Sequence, residues 1–144
     1  MSAGILPIWH GRVLLGFEQG GWSPFSGEVH ANETQELGAW REFMEETAGI
    51  FDGEYIWSKI SRAAAFRSQT PSGNTFVLYI ISFDDFDPTC HWCVTGEGTA
   101  LDTPNQLFLE SKKKTRRRCE REKQQLRWMN LDRLTRIQIG RAHV

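Results

Sequence analysis

Between Gly27 and Ile50 the chain reads GEVHANETQELGAWREFMEETAGI, and the second half of that stretch admits few structures. Asn32 or Thr34 is placed to cap a helix running to about Ala48, and Gly49 suits its end. Each helical residue advances about 100°, so Glu42, Glu45 and Glu46, at i, i+3 and i+4, project to one side, with Gly38 a turn earlier. Leu37, Trp40, Met44 and Thr47 point the other way, with Phe43 at the margin, and form a stripe suited to packing on a sheet. One face is core and the other is acid.

Like charges at i,i+4 destabilise a helix by a few tenths of a kcal/mol, and no lysine or arginine sits among the three glutamates to relieve them. Solvation is the ordinary fate of such a face. The sharper alternative is a hard divalent cation, because Mg²⁺ takes oxygen ligands and is usually held by one or two carboxylates together with substrate phosphates. On helix geometry alone neither reading outweighs the other.

The residues ahead of the helix separate them. Gly27, five residues, Glu33, seven residues, then Arg41-Glu42-Phe43-Met44-Glu45-Glu46 places six fixed residues in twenty positions. This resembles the Nudix box, whose pattern is G, five residues, E, seven residues, then R-E-apolar-x-E-E-x-G-apolar. The match departs at its end, where Thr47-Ala48-Gly49 puts the glycine one position late, as in box variants ending E-E-T-x-G. It departs also before the box, where Phe25-Ser26-Gly27 replaces the usual proline-glycine-glycine. The resemblance covers about Ala3 to Phe51, with the box at about 27–50, and more weakly the segment EREKQQLRWMNLDRL.

That resemblance implies an α/β (α+β) fold of Nudix type, an α/β/α sandwich around a mixed β-sheet. It implies hydrolysis of a nucleoside diphosphate linked to another moiety, with Mg²⁺ or Mn²⁺. Carried onto matching positions, Glu42, Glu45 and Glu46 are metal ligands, with the backbone carbonyl of Ser26 or Gly27 as an extra one. Arg41 and Glu33 pair to hold the loop against the helix. The general base is Glu46 or a glutamate from later in the chain, for which Glu122, Glu120 and Glu97 are candidates. Homodimers are frequent in the family.

Elsewhere the pattern is that of one domain over residues 1–144, a length able to bury a single core. Ala3–His10 and Arg12–Glu18 read as two strands split by a tight connection at Gly11, and QGGWSPFSG reads as a loop anchored by Trp22 and Phe25. Glu54–Phe66 and Asn74–Phe83 read as strands flanking a hairpin turn, Asp84–Asp102 as a long loop, and Thr103 to about Glu122 as a helix opened by Pro104. QLRWMNL reads as a strand and LDRLTRI as a short closing helix. With no apolar run of about 20 residues and no leader pattern, the expectation is a chain that does not enter the membrane and stays in the cytoplasm.

Three cysteines give no disulfide framework, and Cys90 and Cys93 in CHWC lack the second pair a structural zinc site needs. The formal charge of −1 conceals a sorting of charge along the chain: Ser111 to Val144 holds 12 basic residues against 3 acids, the other 110 residues 5 against 15. Six of the basic residues crowd Lys112–Arg118, within the basic segment 111–123. A solvated face is the plain reading, yet so dense a run also attracts polyanions, which makes Lys112, Lys113, Arg116 and Arg117 candidates for substrate binding. Capped RNA or an inositol pyrophosphate would suit it, as would RNA held without turnover by a Nudix-fold binding module. Trp9, Trp22, Phe66 and Trp92 are aromatics able to stack on a base, although core or loop anchoring is the commoner role.

Overall fold

A computed structural model describes residues 1–83, 123 and 125–131. Its elements run β1 (Ser2–Trp9), β2 (Arg12–Glu18), β3 (Gly21–Ser23), β4 (Phe25–Glu28), α1 (Gln35–Glu46), α2 (Gly53–Ile60), β5 (Ala64–Gln69), β6 (Thr75–Ser82) and β7 (Gln125–Asn130). The strands form one mixed sheet. β1 pairs in parallel with β6 from Ser2↔Phe76 to Ile8↔Ser82, and every other pairing is antiparallel. The order is β3-β2-β1-β6-β5, with β4 beside β1 and β7 beside β2. Mixed α/β architecture is therefore the observed class.

Both helices cover the same face of the sheet. The main core joins Ala3, Ile5 and Leu14 of the strands to Ala39 and Phe43 of α1 and Ile56 and Ile60 of α2. Phe25, Phe43, Phe51, Phe83 and Trp128 run through it in successive ring contacts of 5.2 to 5.9 Å. Strand alternation sends Val13, Leu15 and Met129 to the opposite face, where they form a second, smaller cluster.

Helix α1 begins at Thr34, whose hydroxyl accepts from the Leu37 amide at 3.1 Å, so Thr34 is the cap rather than Asn32. Its core stripe keeps the expected Thr47, fully buried, and Trp40 and Met44, packed against the core, but is centred on Phe43 rather than reaching Leu37. Phe43 is fully buried with Ala39, Leu37 is exposed, and Gly38, one turn before Glu42, leaves room for the Val29 side chain, which a Cβ there would strike at 2.9 Å. The sheet meets the helix along 39 and 43, an i,i+4 pair that a reading weighted by the largest side chains passes over.

Two segments differ from expectation. Gly53–Ile60 is helix, not strand: Asp52 caps it by accepting from the Glu54 amide at 3.0 Å, and Ile56 and Ile60 bury at i,i+4. Its aromatic and β-branched residues favour strands, but the cap and the spacing prevailed. The expected loop QGGWSPFSG instead contributes β3 and β4, and Phe25 is a core residue. The expected hairpin turn stands at 70–74, and QLRWMN forms β7. The expected loop from Asp84, helix from Thr103 and, beyond Leu131, closing LDRLTRI helix fall outside the described residues, as do Cys90, Cys93 and Trp92. No helix among the described residues is long and apolar enough to cross a membrane.

Candidate functional site

The site lies where the C-terminal half of α1 meets β4 and the end of β2. Its frame is Arg41. The guanidinium grips Glu33 with Nε donating to Oε2 at 2.7 Å and Nη2 to Oε1 at 2.9 Å, a bidentate pair, and Nη2 also donates to the Glu28 carbonyl at 3.0 Å. The Glu33 carboxylate further accepts from the His30 amide at 2.8 Å. These bonds, the one from Arg41 first, hold Glu33 down at about 2, well below the ordinary carboxylate value. Glu33 in turn raises the affinity of Arg41 for its proton. The loop 29–34 is thereby stapled to the helix, as the Nudix resemblance implies for this pair.

Arg41 also reaches the acid face. Its Nη1 donates to Glu42 Oε1 at 2.9 Å and to Glu45 Oε2 at 3.4 Å. The expectation that no cation relieves the three glutamates is thus corrected: the arginine preceding Glu42 folds back across two of them. Sequence adjacency puts residues 41 and 42 about 100° apart, and only the length of the arginine closes that gap.

Gly27 explains its own place in the pattern. A Cβ on it would lie 2.2 to 2.6 Å from the Glu42 carboxyl atoms, so the carboxylate rests against bare backbone of β4. Ser26 lies next to it, and its amide interacts with Glu46.

Glu46 is the most buried of the three. Its side chain is 13% exposed, against 18% for Glu42 and 53% for Glu45. Burial raises its pKa to about 8, Glu18 and Glu42 add to the rise, and Lys123 opposes it. Glu46 Oε1 is buried with no hydrogen-bond partner among the described residues. An unpaired buried carboxylate oxygen is costly unless something fills the place of its partner.

Whether these groups suit a divalent cation can be judged from the donors themselves. Among the described residues no three His, Cys, Asp or Glu side chains converge as a ready-made cage. Mg²⁺ needs less, since one or two carboxylates with waters and phosphates suffice. Glu42 and Glu46, close enough to perturb each other and offering the orphaned Oε1, meet that demand. The donor set fits a hard cation.

Lys123 was not singled out by sequence reasoning. It is 1% exposed, and its Nζ donates to Glu18 Oε1 at 3.1 Å and sits 4.0 Å from Glu46 Oε2. One signal pointed this way: an isolated glycine, Gly16, inside the apolar strand RVLLGFE, a mark of close approach by another group. A Cβ there would come within 2.6 to 3.0 Å of the Lys123 stem.

The other expected residues divide. Trp9 packs against the core at 5.5 Å from Trp128, Trp22 contacts Phe17 at 5.2 Å, and Phe66 is exposed on β5. None of the three joins the acid site. Glu97, Glu120, Glu122, Lys112, Lys113, Arg116 and Arg117 lie outside the described residues.

No family model matches the chain, and no curated protein sequence does either. Solved structures do. An Ap4A hydrolase of C. elegans, in a binary complex, superposes with a TM-score of 0.55 at 15% identity, over 95% of this chain and 85% of that one. A Nudix hydrolase of M. smegmatis superposes with 0.52 at 17% identity, over 99% and 77%. A bifunctional NMN adenylyltransferase/ADP ribose pyrophosphatase of Francisella tularensis gives 0.56 at 15% identity, over 90% and 33%, so the present chain spans a third of that protein. At these identities the likeness is one of backbone alone: the chain has the fold of the Nudix hydrolases.

Proposed function

We propose that this chain is a single-domain, metal-dependent pyrophosphohydrolase that cleaves a nucleoside diphosphate linked to another moiety. Glu42, Glu45 and Glu46, with the Ser26 carbonyl, are the ligands of Mg²⁺ or Mn²⁺. The observation that carries this reading is Glu46 Oε1, buried without a hydrogen-bond partner among the described residues, beside Glu42 on the helix of a Nudix fold. The names of two neighbours, an Ap4A hydrolase and an ADP ribose pyrophosphatase, fit the substrate class.

A cation held there would neutralise charge developing on phosphate oxygens and acidify a water for in-line attack. The protein's own groups do the rest. Arg41 fixes Glu42 and steadies Glu45, and Glu33 fixes Arg41. Gly27 leaves room for the Glu42 carboxylate. Glu46 is the proton acceptor among the described residues, and Glu122, Glu120 and Glu97 are the alternatives outside them.

The decisive experiment is a panel of nucleoside triphosphates, ADP-ribose, NAD, dinucleoside polyphosphates, inositol pyrophosphate and capped RNA, with Mg²⁺ or Mn²⁺. Glu45→Gln and Glu46→Gln should abolish metal-dependent phosphate release and leave the fold intact; full turnover in both would remove the metal-site assignment. Binding of RNA with no hydrolysis of any panel member would install the non-catalytic module instead. Neutralising Lys112–Lys114 and Arg116–Arg118 should raise KM for the polyanionic substrates well above its effect on a small nucleotide. A cytoplasmic address and a homodimer belong to the same proposal, the second open to light scattering.

A further inference from the structure

Lys123 is surrounded by oxygen. Its ammonium shares three N–H groups among four acceptors in range, Glu18 Oε1 at 3.1 Å, the Pro24 carbonyl at 3.2 Å, the Ser23 carbonyl at 3.4 Å and the Ser23 hydroxyl, with Glu46 Oε2 at 4.0 Å. Two carboxylates, two backbone carbonyls and a hydroxyl thus face one buried positive charge. Such a set of hard donors is what Mg²⁺ or Mn²⁺ would take if the lysine were absent. The backbone is shaped for the lysine. Its stem crosses β2 at Gly16, the position where any Cβ would strike it. Glu18 and Ser23 are also joined directly, Ser23 Oγ donating to Glu18 Oε1 at 3.0 Å, so the oxygens are held together apart from the lysine.

Among the described residues, the pocket adjoins the acid face through Glu46. One oxygen of Glu46 looks toward Lys123 and the other, Oε1, is left without a hydrogen-bond partner among those residues. We propose that Lys123 is a built-in cation: its ammonium fills this oxygen-lined pocket, holds Glu46 Oε2 so that Oε1 serves the catalytic metal, and keeps a divalent ion out. Lys123 is thus a positioning residue that sets how many ions the site takes. The inference rests on the reading of Glu46 as a metal ligand. An ordinary buried ion pair would make Lys123 important to stability, but its removal would create no new metal site.

The test counts ions. Electron paramagnetic resonance of free Mn²⁺ measures the number bound to the wild type, Lys123→Met and the double variant Lys123→Met/Glu18→Gln. Lys123→Met should bind about one more Mn²⁺ per chain than the wild type, and the double variant should lose that ion. Equal counts in the wild type and a folded Lys123→Met would overturn the inference. A wild type that binds no Mn²⁺ would overturn the metal reading of the acid face, and the lysine inference would then be decided by whether Lys123→Met gains an ion. Should Lys123→Met not fold by itself, circular dichroism with and without Mn²⁺ decides. A fold restored by Mn²⁺ and lost on chelation supports the inference, and a chain that stays unfolded in Mn²⁺ overturns it.

Discussion

Arg41 holds Glu33 by two parallel hydrogen bonds of 2.7 and 2.9 Å, across eight residues of sequence. This pair ties the loop before α1 to the helix that carries the acid face. Because the pair depends on an ionised Glu33, it is sensitive to acid. The pKa of Glu33 is lowered to about 2 in the fold, so its contribution to stability is complete above the ordinary value of 4.5 and is lost as pH falls from there through about 2. Glu33→Gln should remove that part of the acid transition. Circular dichroism between pH 5 and pH 2 checks this, and a variant with the wild-type acid profile would contradict it.

Gly27 makes a sharper prediction, because its effect is confined to one carboxylate. Gly27→Ala places a Cβ 2.2 Å from the Glu42 carboxyl carbon and must push that group off β4. Mg²⁺ affinity should fall about 10- to 100-fold, the range seen when groups that orient a ligand are disturbed. Calorimetric titration gives the affinity, and a thermal melt separates it from unfolding.

Metal uptake should release a proton. Glu46, with its pKa raised to about 8, is mostly protonated at pH 7 in the metal-free protein. A raised carboxyl contributes stability that is complete below 4.5 and is lost as pH rises through about 8, so the metal-free fold should weaken over that window. Mg²⁺ must displace the proton, giving a release of about one per site at pH 7 that falls toward zero above pH 9. Titrations in buffers of different ionisation enthalpy measure it, and Glu46→Gln should abolish it.

The end of α1 carries a stabilising substitution. The E-E-T-x-G ending places Ala48 where φ is +55°, followed by Gly49 at +69°. A side chain in the left-handed region costs about 1 kcal/mol relative to glycine. Ala48→Gly should therefore stabilise the protein by about 0.5 to 1 kcal/mol, a Tm rise of roughly 2 to 4 °C. An unchanged or lower Tm would show that the Ala48 methyl, packed against the core, outweighs the strain.

Features set by local spacing were legible. The one-sided placement of Glu42, Glu45 and Glu46 follows from helical periodicity, and the contact of Arg41 with Glu33 is the one the Nudix resemblance implied. The turn at 70–74 announced itself by composition, and Thr34 was one of two caps the composition allowed. What escaped depends on contacts across the chain. The full burial of Phe43, expected only at the margin of the stripe, goes with its ring contacts to Phe25 and Phe51, which lie outside the helix, while Leu37 is exposed. Gly53–Ile60 carried strand-like residues whose helical state turned on Asp52 and the 56/60 spacing. Lys123 was one of 12 basic residues in its part of the chain, and only the fold lays it across Gly16.

The link from Glu18 to Lys123 spans 105 residues, and β7 runs alongside β2 from Arg12↔Asn130 to Phe17↔Gln125. Contacts so distant in sequence close late, because the entropy of the intervening loop must be overcome before they form. The described site is therefore closed by residues from two distant parts of the described chain: Arg41 serves Glu42 and Glu45 from within α1, and Lys123 reaches Glu18 and the neighbourhood of Glu46 from beside β7.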